Sequence, residues 1–233
     1  MINVICVKHG EKYDHEYVNR LYNMVGRHLS LDHEFYCFTD DSSSINQNIN
    51  VIDIPSKLGI AGWWCKPYIF ASEHFCSSGI NLYFDLDTVI VGSIDHFVRY
   101  EPSKFVGLRD LAKVFRKNWI RLGSAVMKWP TGTHTDIWEE FRSDKKHIIK
   151  KFRGDQDWIW HLHRKSIHFF PEKWIQSYKW QIRQRDELEK TTQGLRFKNT
   201  RNPQIPPDTS VLAFHGSPDI KDVKDPVIVK HWR

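Results

Sequence analysis

Two carboxylates, Asp85 and Asp87, stand two positions apart at the end of the apolar run "INLYF" (residues 80 to 84). In an extended chain, residues two apart project to the same side, so both acids can face one point. Bare negative charge against a buried strand costs on the order of several kcal/mol unless it is paired, hydrated or bound to a metal. A divalent cation relieves the repulsion between two such acids. The competing reading is a strand-end turn in which the acids cap the next element. The apolar continuation "TVIVGSID" (residues 88 to 95) ties the pair to a buried central strand and favours the cation.

The elements that must position these acids follow from hydrophobic patterning. "INVICV" predicts a buried strand and "HEYVNRLYNMVGRHL" a helix, with Val18, Leu21, Tyr22, Val25 and Leu29 on one face and Asp14 as N-cap. "EFYCFTD" and "VIDI" predict two more strands, "CKPYIFASEHF" a helix and "INLYFD" another buried strand. Strands alternating with helices over the first 95 residues predict an α/β domain, a mostly parallel central sheet flanked by helices. Ligands of such sheets bind beyond the carboxyl ends of the strands, where Asp85 and Asp87 fall. Beyond residue 95, "FVGL", "SAVMKW" and "SVLAFHG" predict strands, and "HTDIWEEFRSDKKHIIKKF" and "DQDWIWHLHRK" helices. The polar, Pro-containing segment Arg183–Asp208 predicts a long loop. No repeat or composition break marks a second domain, so a single domain over residues 1–233 is expected.

Composition narrows the function classes. Hydrophobic residues make up 40% and charged residues 27% of the 233, which argues against disorder. No apolar run approaches the roughly 20 residues of a membrane span. The first strand starts at residue 2 without a basic leader, so no signal peptide and a cytoplasmic location are expected. Cys6, Cys37, Cys65 and Cys76 lie in or beside apolar runs without CxxC spacing, which predicts buried free thiols. Residues 141–201 hold 16 Lys and Arg against 7 Asp and Glu, a net of +9, whereas the rest of the chain nets −3. That basic second half suits an anionic partner such as phosphate, nucleic acid or an acidic lipid surface, or is simply a solvated face.

"LYFDLDTVIVGSID" resembles the metal-binding strand end of GT-A glycosyltransferases, and most closely the glycogenin-like (family 8-type) retaining nucleotide-sugar transferases. "VICVKHGEKY" is similar to that family's opening strand and uridine loop, and "WWCKPYIF" to its lysine-bearing helix. "GSAVMKW", "GDQDWI" and "FHGSP" resemble its later motifs in the same order. The resemblance implies a GT-A fold with residues 1–95 as the nucleotide-binding half and 96–233 as the acceptor and sugar half. It implies Mn²⁺, or Mg²⁺, held by Asp85, Asp87 and His215, the last arriving 128 residues after Asp87. His9 and Tyr13 would border the uridine, with Tyr13 stacked on the base or packed on the first helix, and Asp40 would bond the base or ribose or form a turn. Asp85 would also approach the ribose. Lys66 would reach the diphosphate or the donor sugar, Lys221 the diphosphate, and Gly216 would belong to the cofactor-binding set. Asp155 and Gln156 would stand beside the anomeric carbon, Asp155 also occupying an apparent helix N-cap position.

Two positions depart from the family's pattern. Asp219 stands where a diphosphate-gripping lysine is usual, leaving that role to Lys221, Lys66 or arginines of the basic half, and Gly123 stands where an asparagine is usual. The implied reaction moves a hexose-type sugar from a UDP-sugar to an acceptor hydroxyl with retention, the acceptor being a glycan, lipid-linked sugar, protein or small molecule. Two alternatives are a sugar nucleotidyltransferase or other metal-dependent phosphoryl-transfer enzyme, which would want a glycine-rich loop where "VKHGEKY" has one glycine, and a non-catalytic nucleotide or nucleic-acid binder with no need of Asp85, Asp87 and His215. No nucleic-acid partner is expected.

Overall fold

A computed structural model of the chain describes residues 1–75, 78–183, 188–191, 194–197 and 203–233. In its first part, β1 (Ile2–Lys8), α1 (His15–His28), β2 (His33–Thr39) and β3 (Asn50–Asp53) precede a 3₁₀ helix (Gly62–Phe70). Then come β4 (Ile80–Phe84), β5 (Thr88–Ile90), α2 (Asp95–Arg99), β6 (Val106–Arg109) and β7 (Leu122–Pro130). Helices α3 (Asp136–Ser143), α4 (Lys145–Lys151) and α5 (Asp155–His163) follow, then β8 (His168–Phe169) and β9 (Ile175–Ser177). A π-helical turn (Tyr178–Ile182), β10 (Leu188–Thr191), β11 (Gly194–Phe197), β12 (Val211–Ala213) and α6 (Pro226–His231) complete the chain.

Seven strands form the central sheet in the order β3-β2-β1-β4-β7-β6-β8. Six run parallel to one another and β7 runs against both neighbours, so the sheet is mostly parallel, as expected. The period-2 alternation of the buried strands splits the core into two layers. Val4, Cys6, Leu82 and Phe84 face Val18, Leu21 and Val25 of α1. Ile5, Tyr83, Met127 and Trp129 face Trp64, Phe141 and Trp158 on the other side. Covering both faces is what allows continuous apolar runs such as "INVICV" to be strands at all. Between β1 and β4 the Asn3 amide donates to Asn81 at 2.8 Å, satisfying both polar groups in the core.

Asp14 caps α1 as predicted, accepting from the Glu16 N–H at 3.0 Å. The expected helix over "CKPYIFASEHF" is instead a 3₁₀ helix that starts earlier and stops at Phe70. Pro67 explains the change, because it lacks the N–H of an α-helical ladder and its ring clashes with the carbonyl four residues back. The single helix expected over "HTDIWEEFRSDKKHIIKKF" breaks at Asp144, whose φ of −137° and ψ of 42° leave the helical region. Short polar side chains such as Ser143 and Asp144 compete with the helical backbone and favour such breaks. Within the segment read as one long loop, the backbones of β10 and β11 pair as an antiparallel hairpin. Strands β5, β12 and β9 form a second sheet, β12 antiparallel to β5 and parallel to β9. The C-terminal α6 is fastened to α1 by Arg27, which donates to the carbonyls of His231 (2.6 Å) and Arg233 (2.8 Å). Cys6, Cys37 and Cys65 are buried free thiols, and Cys76 lies outside the described residues. No helix among the described residues is long and apolar enough to cross a membrane.

Candidate active site

Beyond the carboxyl ends of β1 and β4 lies a cavity of about 870 Å³. Its lining includes His9, Lys12 and Tyr13 from the loop after β1, with Asp85 and Asp87 from the end of β4. Because β7 is reversed, its first residues reach the same edge, and Arg121 and Ser124 line the cavity with Asp155 and Gln156 from the start of α5. Trp63 and Lys66 enter from the 3₁₀ helix.

The centre of the site is a buried polar network. Lys66 is 6% exposed, and its Nζ lies 2.9 Å from Asp85 Oδ1 and 3.1 Å from Asp155 Oδ2. The same ammonium donates to Ser124 Oγ at 2.9 Å, and that hydroxyl donates to Asp155 Oδ2 at 2.6 Å. Tyr83, sharing a strand face with Asp85, donates to Asp85 Oδ1 at 2.6 Å. Burial alone pulls the Lys66 ammonium down, but Asp155 and then Asp85 outweigh it and hold the group above the usual lysine range. Asp87 receives a 2.9 Å hydrogen bond from the Tyr13 hydroxyl. Burial first, and the neighbouring Asp85 charge second, push the Asp87 carboxyl up to about 6. Asp85 and Asp155 thus share Lys66, while Asp87 has no ion pair of its own among the described residues and feels the Asp85 charge beside it, offset in part by Lys12 and Lys66. Hard oxygen donors carrying excess charge at a cavity wall fit a divalent cation.

The structure brings His9, Tyr13, Lys66, Asp85, Asp87, Asp155 and Gln156 to the cavity, whereas Asp40, His215, Gly216 and Lys221 are not among its lining residues. Asp40 shapes the loop instead: both its oxygens accept from the Gly10 N–H (3.2 and 3.1 Å), and it lies 3.7 Å from His9 Nε2. Gly10 needs that anchor at a φ of +69°, a region glycine enters without steric cost. The backbone next to His215 runs beside the acids, since the Phe214 N–H donates to the Asp87 carbonyl at 2.9 Å. Its ring, however, is within 2.7 Å of Ser177 Oγ through Nε2 and packs edge-on against Trp180. Among the described residues, no three His, Cys, Asp or Glu side chains are grouped as a ready metal cage. Asp219 accepts from the Tyr17 hydroxyl and from the Lys221 backbone N–H at 3.4 Å, so it serves local structure.

Asp155 is not the N-cap of α5. Gly154 holds that position, and Asp155, in the first turn and 5% exposed, turns to Lys66 and Ser124. Tyr13 both lines the cavity and packs on α1, its ring 4.8 Å from that of Tyr17. Sequence reasoning missed Lys12, Trp63, Asp110, Trp119, Arg121 and Arg153 as lining residues. Arg153 was the most accessible of these, being adjacent to the "GDQ" motif. Gly123 has a packing reason: a Cβ there would meet the Asp110 Cα at 3.3 Å, leaving little room for asparagine.

No protein-family model and no curated protein sequence matches the chain. Solved structures do resemble it. The galactosyltransferase LgtC, solved with donor and acceptor sugar analogs, superposes with a TM-score of 0.65 at 10% identity, over 94% of this chain and 88% of LgtC. The glycosyltransferase GlyE of Streptococcus pneumoniae TIGR4 gives 0.55 at 14% identity, over 75% of this chain and 47% of GlyE. The bifunctional glycosyltransferase WbbM gives 0.54 at 11% identity, over 76% of this chain and 40% of WbbM. The chain therefore has the GT-A glycosyltransferase fold.

Proposed function

We propose that the protein is a glycosyltransferase that moves a hexose-type sugar from a UDP-sugar to an acceptor hydroxyl, with retention and with the help of Mn²⁺ or Mg²⁺. The observation that carries this reading is the pair Asp85 and Asp87 at the end of β4, lining a large cavity together with Asp155 and Gln156. Asp85 and Asp87 would hold the ion, with His215 as third protein ligand. The bound ion would act as a Lewis acid on the diphosphate that leaves with its electron pair.

The residues of the chain account for the rest. The loop after β1 offers Tyr13 to the base and Lys12 to phosphate oxygens. Lys66, fixed between two carboxylates, is a preorganised cation at the centre of the cavity where charge redistributes as the glycosidic bond breaks. Asp155 is engaged by Lys66 and Ser124, which lowers its nucleophilicity. It suits holding Lys66 in place better than covalent attack. Gln156, the next residue and also at the cavity, would support a displacement on the same face of the sugar.

The test is a panel of nucleotide sugars with Mn²⁺, scored by thermal shift and slow donor hydrolysis on the wild type and on Asp87→Asn. One uridine donor should stand out and lose its Mn²⁺-dependent hydrolysis in the variant. Full hydrolysis by Asp87→Asn would refute the ion assignment, and no response to any donor would refute the transferase reading.

A further inference from the structure

A second cleft, of about 360 Å³, adjoins the large cavity and shares Arg121, Arg153 and Asp157 with it. Its other walls come from the end of α4 and the outward face of α5: Lys151, Trp160 and Arg164. None of its lining residues comes from β1, β4 or the loop after β1, so it extends from the sugar side of the cavity and not from the nucleotide side. Four cationic side chains there face one carboxylate, Asp157.

Arg20, Arg109, Arg142 and Lys173 elsewhere are ion-paired, though other cations such as Lys104 and Lys165 are in no ion pair among the described residues. Arg121, Lys151, Arg153 and Arg164 take no ion pair among the described residues. Two of the four are steadied by rings instead: Arg121 lies 5.4 Å from the Trp119 centroid and Lys151 5.3 Å from that of Phe152. A guanidinium fork such as that of Arg121, with the Lys151 ammonium in the same cleft, suits the oxygens of a phosphate. Trp160 adds an aromatic wall on which the apolar face of a sugar can rest.

We propose that this cleft binds the acceptor, and that the acceptor is a sugar carrying a phosphate group near its reacting hydroxyl. The assignment rests on the transferase reading, because only that reading makes the adjoining cavity a donor site. The phosphate would settle among Arg121, Lys151, Arg153 and Arg164, with the sugar ring reaching past Asp157 toward Gln156. Both a soluble phosphorylated glycan and a lipid-linked sugar phosphate present this chemistry.

The test uses the full chain and the double variant Lys151→Ala/Arg164→Ala, whose two positions line the second cleft but not the large cavity. Calorimetry compares glucose and galactose with their 6-phosphates, and UDP with Mn²⁺ as a separate readout. The phosphates should bind at least about tenfold tighter than the plain sugars, the worth of one charge-assisted hydrogen bond. The double variant should lose that preference and keep its UDP affinity within about twofold, a limit set well inside the tenfold worth of one such bond. Equal binding of phosphorylated and plain sugars by the wild type, or a preference that survives in the variant, overturns the proposal. Absent UDP binding with the phosphate preference intact overturns the transferase reading and, with it, the acceptor role. A polyprenyl-phosphate sugar in micelles distinguishes the sources: tighter binding than the soluble phosphate assigns a lipid-linked acceptor, equal binding a soluble one, and both support the proposal. Equally strong capture by sugar-free phosphatidylglycerol vesicles, lost in the same variant, overturns it in favour of a membrane-facing patch.

Discussion

Replacing Lys66 by methionine keeps most of the side-chain volume and deletes the one cation in the buried network. Lys66 and Asp155 are each 7% exposed in their side chains, and Asp85 is 28% exposed. The ammonium serves both carboxylates at 2.9 and 3.1 Å, so among the described residues its loss leaves Asp155 with the Ser124 hydroxyl alone and Asp85 with the Tyr83 hydroxyl alone. Removing one partner of a buried ion pair costs about 3–5 kcal/mol. For a chain of this size, each kcal/mol shifts the melting temperature by roughly 2–4 °C, so a fall of roughly 6–20 °C is expected. Urea unfolding of Lys66→Met at pH 7 measures the loss directly. Adding Asp155→Asn should restore part of it, because the stranded charge is gone, and the recovered share gives the coupling between the two residues. A loss below about 1 kcal/mol, the range of exposed pairs, would refute the claim that this network is buried and mutually dependent.

Asp87→Asn should raise the melting temperature of the ion-free protein while abolishing Mn²⁺-dependent UDP release. The Asp87 carboxyl is held near 6, above its ordinary 3.8, so its charge works against folding at pH 7. A thermal shift without added ion checks the sign, and a fall would contradict it. Tyr13→Ala should weaken UDP binding by on the order of 1–3 kcal/mol by calorimetry, the range for base–aromatic stacking, and an unchanged affinity would leave Tyr13 as packing for Tyr17. His134, half-buried and beside His163, is pushed down to about 4 from 6.5, by burial first and the neighbouring imidazole second. Between those values the unfolded chain takes up a proton that the folded one refuses, so its contribution to stability is present above pH 6.5 and lost on acidification toward pH 4. His134→Asn, a residue that tolerates the φ of +62° there, should flatten the urea midpoint between pH 7 and pH 5, and an undiminished slope would assign the acid sensitivity to other groups.

The placement of Asp85 and Asp87 was legible because a charged pair against a buried strand is a local anomaly, visible without tertiary information. Strands β1, β2 and β4 were legible for the same reason, as continuous apolar runs. The short strands β5 and β9 were not, since three residues are too few to show a period and their pairing depends on partners far along the chain. The cap at Gly154 was misread because Asp155 has the right chemistry for that role, and only the approach of Lys66 and Ser124 shows where its carboxylate goes. For His215, order and spacing reach the backbone but not the ring. They place its backbone beside Asp87, but the direction of its ring is decided by Ser177 and Trp180, 35 to 38 residues earlier in the chain. Trp63 and Arg121 gave no local signal, being surface residues until the fold folds them around a hollow.

The direction of β7 has a consequence for how such a molecule can diversify. A strand laid backwards opens on the edge where its neighbours finish, so the connection entering it, residues 110–121, overhangs the hollow rather than the underside of the sheet. Connections of this kind tolerate lengthening and rewriting far better than strands do. Changes confined to that stretch could retarget the incoming molecule while the wall contributed by the first third of the chain stays as it is.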